Sequence, residues 1–367
     1  MDFFHGPNYR ISKYFLSVLG LWPLQKPKEK YFFRCLTISM FSSIVLPKLI
    51  RFAEYYGDFS SMIECFPVLA LHGVGCIKFS NYCINAKRLR ELTCWIEEDW
   101  KARSAQNDVM ILARYANRGR IFVMAYGVYL YATLSIYLLL PAIPILLDVI
   151  APLNQSRQVV YLYETEYFVD PDEYYFYILA HAYVTMPFSL CMIVSFDAML
   201  AVYIHHACGI FSTIGSHLEA IGRDNPDEKS HRSANYVEYD HEAYVRIVHC
   251  VRMHRRVLEF VRILQSSLSV CLAFVTALCT MIITVTGFMA VSHLDELAEA
   301  VRFGSFGVGA ILHMFCTCWL GQMLVDHSEQ IFSNALQHHV VQSIQSGEKT
   351  FHFNYDAKLG VLQNFSW

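Results

Sequence analysis

Sixteen histidines and twelve cysteines are the residues of this chain best suited to hold a metal ion or act as nucleophiles. Their spacing leaves them little chemistry. A membrane di-iron centre needs repeated His pairs one helical turn apart, whereas His205 and His206 are adjacent, as are His338 and His339, and His249 and His254 are five apart. Cys316 and Cys318 lie two apart, so on a helix they point to different sides, and no second Cys or His pair completes a zinc pattern. Cys35, Cys65, Cys76, Cys83, Cys191, Cys271 and Cys279 fall in or beside apolar runs and read as small hydrophobes. No Gly-rich phosphate loop, Gly-x-Ser-x-Gly elbow or recognisable Cys/His dyad occurs. No cofactor, metal or enzymatic activity is expected.

The chemistry that remains is recognition of something apolar. Phe66 and Leu69, then Tyr131, Leu134 and Tyr137, then Tyr177, His181, Thr185 and Phe188, and finally Phe306 fall on four separate apolar segments at similar depth. Together they could line an aromatic pocket with a few hydroxyls and one imidazole, suited to a small volatile or lipid-like ligand. Plain helix packing accounts for any one of them taken singly, and His181 by itself reads as a hydrogen-bonded packing residue.

The segments that must carry these residues are membrane spans. A chain of 367 residues with 55% hydrophobic and only 17% charged residues lies outside the range of soluble globular proteins. The net charge of −3, with no basic run interleaved with aromatics, sets nucleic acid aside. Six segments pass the length and charge test for a spanning helix, roughly Phe33 to Phe52, Ser61 to Ile84, Ile121 to Val149, Tyr174 to Ile204, Leu264 to Val291 and Phe303 to Val325. The expected fold is therefore all-α, a polytopic membrane helix bundle. Residues 1–32 hold no signal peptide and form an N-terminal segment; 33–325 form the bundle, and 326–367 a tail.

Lys and Arg crowd the N-terminal segment and the second and fourth connections, whereas the third carries Glu164, Glu166, Asp170, Asp172 and Glu173. That bias predicts a cytosolic N-terminus. It also leaves Asn154, in an Asn-Gln-Ser sequon, on the outer side as a candidate glycosylation site. With a rise of about 1.5 Å per residue, Asp197 is expected near the inner boundary rather than as a buried intramembrane charge. Lys48 is expected to snorkel toward the headgroups. Past Ile204 the apolar stripe continues through Cys208, Phe211, Ile214 and Leu218, and it resumes at Val248, Val251, Leu258 and Val261. Helical extensions over 204–263 are thus expected to form a cytosolic anchor.

The short polar fifth connection, SHLDELAEAVR, lacks a carbonyl selectivity filter of the potassium-channel type, and G-protein-coupled receptor motifs are missing. The chain instead resembles the insect odorant receptors, particularly those of ants, bees and wasps. The likeness rests on Gly20-Leu21-Trp22-Pro23, on YFVDPDEYYFYILAHAY, on FDAMLAVYIHHACGIFSTIGSHL and on CWLGQMLVDHSEQIFSNAL, and it runs roughly from Asn8 to Gln337. It implies a ligand-gated cation channel subunit in the plasma membrane of the olfactory neuron dendrite, assembled as a heterotetramer with the odorant-receptor co-receptor and binding a small hydrophobic odorant. It also implies a pocket in the outer half of the second, third, fourth and sixth spans. The sequence departs from the family after Gln337, where no apolar run near eighteen residues offers the usual seventh helix. The alternative expectation is a non-conducting truncated isoform, or an incomplete gene model, that only associates with full-length subunits.

Overall fold

A computed structural model describes residues 3–103, 105–151, 160–223 and 234–337. Among them every regular element is helical. A 3₁₀ turn at Phe3–His5 precedes α1 (Arg10–Val18), α2 (Pro27–Glu54), α3 (Phe59–Ile84), α4 (Ala86–Ala102) and α5 (Gln106–Leu139). Then follow α6 (Ala142–Ile150), α7 (Tyr175–Arg223), α8 (Ala234–Ser292) and α9 (Leu297–Gln337). Six stretches, in α2, α3, α5, α7, α8 and α9, are long and apolar enough to cross a membrane. The expected third span, Ile121 to Val149, is not one rod. Pro141 stands between α5 and α6, and without an N–H it cannot carry the helical ladder across the join. The sequon at Asn154 and the tail from His338 onward lie outside the described residues.

Helix ends follow local chemistry. Pro27 opens α2 at a position where its missing N–H is not needed, and the Asp58 carboxylate caps α3 by accepting from the amides of Ser60 and Ser61. Gly20 ends the N-terminal hook in the left-handed region at φ +66, and a Cβ there would lie 2.5 Å from the Lys30 carbonyl oxygen. Arg34 Nε donates to the Gly20 carbonyl at 2.9 Å, and Leu16, Leu19, Leu21 and Trp22 are buried around the turn.

The described residues divide into two compact units. The first is drawn from Met1–Arg90, Arg120–Leu200 and Ser267–Cys318. Its axis is α7, on which every residue from Leu190 to Leu200 is buried. Large side chains such as Ile38, Val128, Phe274, Phe288 and Phe315 face outward instead. In lipid such a surface carries no penalty, and helices are held by close packing and interhelical hydrogen bonds rather than by escape from water. A segment ahead of α7 folds over one end of this unit. Glu166 N donates to the Pro47 carbonyl at 3.1 Å, Tyr137 donates to the Leu162 carbonyl, and Glu164 takes both Tyr55 and Arg51.

The second unit is drawn from Glu91–Gly119, Ala201–Ser266 and Trp319–Trp367. Every residue from Ala201 to Phe211 on α7 is buried there. Gly209 lets α5 approach, since a Cβ would sit 3.0 Å from Leu112 Cδ2. Polar pairs lock the helices: Asp99 accepts from His206 Nε2 at 3.0 Å and from Arg256 Nε at 3.0 Å. Asp108 accepts from His217 at 2.8 Å, and Tyr115 meets His327 at 2.8 Å.

Two expectations about the exposure of charged residues are overturned. Asp197 is buried, 3% exposed, and ion-paired to Lys78. Lys48 does not snorkel: it is 4% exposed, with its ammonium 3.6 Å above the Tyr163 ring and 3.9 Å from Met186 Sδ. Helix rise gives depth but not facing: Asp197 faces a neighbouring helix, and Lys48 faces α7 and the segment ahead of it.

Candidate functional site

The first unit holds a cavity of about 900 Å³, counting the part open to its surroundings. Phe41 comes from α2, His72 and Gly75 from α3, and Leu130, Thr133, Leu134 and Tyr137 from α5. Met186, Ser189, Leu190 and Ile193 come from α7, Cys279 and Ile282 from α8, and Ser305, Phe306, Gly309, Ala310 and His313 from α9. The spacings are those of single helical faces, 186, 189, 190 and 193 on α7 and 305, 309 and 313 on α9. Gly75, Gly309 and Ala310 leave the volume that larger side chains would fill. The apolar wall with its few polar groups suits a small organic ligand.

The polar atoms of this wall are few and mostly engaged. Thr133, Ser189 and Ser305 each donate back to a carbonyl of their own helix, at Tyr129 (3.1 Å), Thr185 (2.9 Å) and Arg302 (2.9 Å). His313 belongs to a buried cluster. Lys78 Nζ donates to both Asp197 oxygens at 2.6 and 2.8 Å and approaches His313 Nε2 at 3.3 Å. An ammonium can only donate, so His313 Nε2 accepts and its hydrogen sits on Nδ1, 2.7 Å from Tyr126 Oη. Tyr126 passes its own hydrogen to Asp197 Oδ2 at 2.6 Å. Four helices, α3, α5, α7 and α9, are thereby tied together at one end of the cavity.

A second cavity, about 690 Å³ on the same measure, is lined by Lys48, Glu64, Leu69, Glu164, Arg302 and Phe303 among others. It shares Tyr137 and Phe306 with the first. These two rings meet edge to face, 5.5 Å between centroids.

Of the residues expected to form a pocket, Leu134, Tyr137 and Phe306 lie on the wall of the first cavity, and Leu69 joins Tyr137 and Phe306 on the second. Phe66 and Phe188 are half-buried and lie on neither. Tyr131 donates to the Pro187 carbonyl at 3.3 Å, and Tyr177 is exposed. His181 is fully engaged: Ser43 spends its hydroxyl on the Met40 carbonyl, so His181 Nε2 donates to Ser43 Oγ at 3.0 Å and Nδ1 accepts from Tyr167 at 3.0 Å. Burial pushes the Tyr167 phenol up to about 12, which keeps it a donor. Thr185 is buried and donates to the His181 carbonyl at 2.7 Å. The expected stripe 177, 181, 185 and 188 runs along a face of α7 beside the one that meets the cavity. His72, Thr133, Ser189, Ser305 and His313 were not among the expected residues. The 305/309/313 spacing of small and polar residues is the one signal that could have found part of this wall.

The family described as 7tm Odorant receptor matches residues 58–339. No curated protein sequence matches the chain. In structure the chain is similar to the insect olfactory receptor OR5 from Machilis hrabei in complex with eugenol, with a TM-score of 0.67 at 15% identity over 97% of this chain and 96% of that one. Another structure of that receptor gives a TM-score of 0.66 at 14% identity over the same shares. At that identity the likeness speaks for the fold, an all-helical bundle with six candidate spans among the described residues. With most of its length matched by the family and a multi-pass bundle around an apolar cavity, this chain belongs to the 7tm Odorant receptor family.

Proposed function

We propose that the chain is the odorant-binding subunit of a ligand-gated cation channel of the olfactory neuron plasma membrane, acting with a co-receptor in a heterotetramer. The single observation that carries this reading is the apolar cavity in the first unit, in a member of an odorant receptor family. The relative solved with eugenol supports a small apolar ligand. Leu134, Tyr137 and Phe306 serve as ligand contacts, together with His72 and Met186 on the same wall. The N-terminus is assigned to the cytosol, and helical segments over 204–263 to an anchor that meets neighbouring subunits. An antibody reaching a tag at Met1 on unpermeabilised cells would reverse that orientation.

The test is to co-express the full chain with a co-receptor and record current evoked by a panel of volatile odorants. Current supports the reading. Silence across the panel despite surface delivery refutes conduction and favours a subunit that binds and assembles without opening a pore.

A further inference from the structure

We infer that the main cavity selects ligands that bring a hydrogen-bond donor, a hydroxyl or phenol on a small apolar body, and that His72 Nε2 is the acceptor that reads it. The inference deepens the reading of this cavity as the ligand site and rests on it.

His72 is 3% exposed and lines the cavity, its ring tilted against Phe41 at 5.8 Å between centroids. Its Nδ1 lies 2.7 Å from the Val68 carbonyl oxygen. A carbonyl only accepts, so the ring hydrogen is on Nδ1 and Nε2 presents a bare lone pair. That nitrogen is buried and has no hydrogen-bond partner. A buried acceptor left unmade forfeits the hydration it had in water. A ligand hydroxyl pressed into the wall at His72 would restore that bond.

The rest of the wall sharpens the choice. Thr133, Ser189 and Ser305 have spent their hydrogens on helix carbonyls, and Tyr137 has spent its own on Leu162. His313 donates through Nδ1 and accepts from Lys78 through Nε2. The described wall therefore offers lone pairs and no free O–H or N–H. Only the Cys279 thiol remains, a weak donor. An ether or ketone entering this cavity must bury its oxygen without a partner, whereas an alcohol of the same shape finds one. The difference of one neutral hydrogen bond corresponds to roughly tenfold in affinity.

The test uses the purified full chain in detergent and reads ligand-induced thermal stabilisation, which needs no channel opening. Matched pairs of alcohol and methyl ether are titrated, among them 2-phenylethanol with its methyl ether and thymol with its methyl ether. The expected result is half-maximal stabilisation at about tenfold lower concentration for the hydroxyl member, lost in His72→Leu while the ethers still bind that variant. Ethers matching alcohols in the wild type, or the alcohol preference surviving in His72→Leu, would overturn the inference and leave the cavity's role as a ligand site intact. Should His72→Leu fail to accumulate, His72→Phe takes its place, and the wild-type comparison decides without either. If neither member of any pair stabilises the chain, the ligand-site reading falls and this inference with it.

Discussion

Lys78 Nζ lies 2.6 Å from Asp197 Oδ1 with both side chains buried, joining α3 to α7 across 119 residues of sequence. The pair borders the cavity through His313, so its integrity holds in place the helices that carry the cavity wall.

Asp197→Asn leaves the Lys78 ammonium buried without its counter-charge. Removing one partner of such a pair costs about 3–5 kcal/mol. The expected outcome is a large fall in the unfolding midpoint in detergent, read by size-exclusion chromatography after heating. Adding Lys78→Met to Asp197→Asn should recover most of the loss, because the stranded charge goes with it. A double variant no more stable than the single one would show that the cluster matters for something other than charge pairing.

Gly20 and Gly57 separate two costs of a methyl group. Both have positive φ, +66 and +103, but a Cβ meets Lys30 and Arg34 atoms within 2.8 Å at Gly20 and nothing within 4 Å at Gly57. A left-handed backbone costs a side-chain-bearing residue about 1–2 kcal/mol, so Gly57→Ala should lose about that much. Gly20→Ala should lose more and loosen the hook. Limited proteolysis of the first thirty residues is the check, and equal protection in the two variants would contradict it.

Phe306 stands between two cavities, so Phe306→Ala should join them. Stability should fall by less than the about 3–5 kcal/mol typical of a fully buried Phe, since Phe306 is only half-buried. Ligands one or two methylenes longer should gain affinity relative to short ones. Thermal stabilisation by a homologous alcohol series measures this, and an unchanged rank order would place the ligand elsewhere.

Asp99 sets a pH expectation for the second unit. Burial pushes its carboxyl up, but the His206 hydrogen bond and the charges of His206, Arg256 and Arg103 outweigh that and hold it below the ordinary carboxylate value. A depressed folded value means the stabilisation is present above the unfolded carboxylate pKa, about 3.9, and is lost as pH falls through the folded one. The difference in unfolding midpoint between wild type and Asp99→Asn should shrink as pH falls below about 4, where the carboxylate itself takes a proton. A difference that grew on acidification would reverse the sign argued here.

Much of this was legible from composition and run length. A bilayer core of roughly 30 Å demands about twenty apolar residues per helix, so the six spans stand out wherever charge is absent for that distance. The family likeness was legible too, because FDAMLAVYIHHACGIF and its neighbours survive as local strings. The break at Pro141 was readable in principle, since a residue without an N–H interrupts the ladder wherever it falls.

Facing was not legible. A helix like α7, buried on every side from Leu190 to Phe211, has no polar stripe to mark which face meets which neighbour. The expected wall on α7 therefore fell on 177, 181, 185 and 188, whereas the cavity meets 186, 189, 190 and 193. Nor can one chain position announce a partner 119 or 235 residues away, as Asp197 and His313 are from Lys78. The sequence alone determined which of the described segments are long and apolar enough to cross a membrane and roughly where each begins, because oil–water partitioning acts on each segment independently. Only the tertiary structure decided which side chains share a cavity and which charges neutralise one another, because those depend on the rotation of each helix about its axis, a quantity set jointly by all its neighbours.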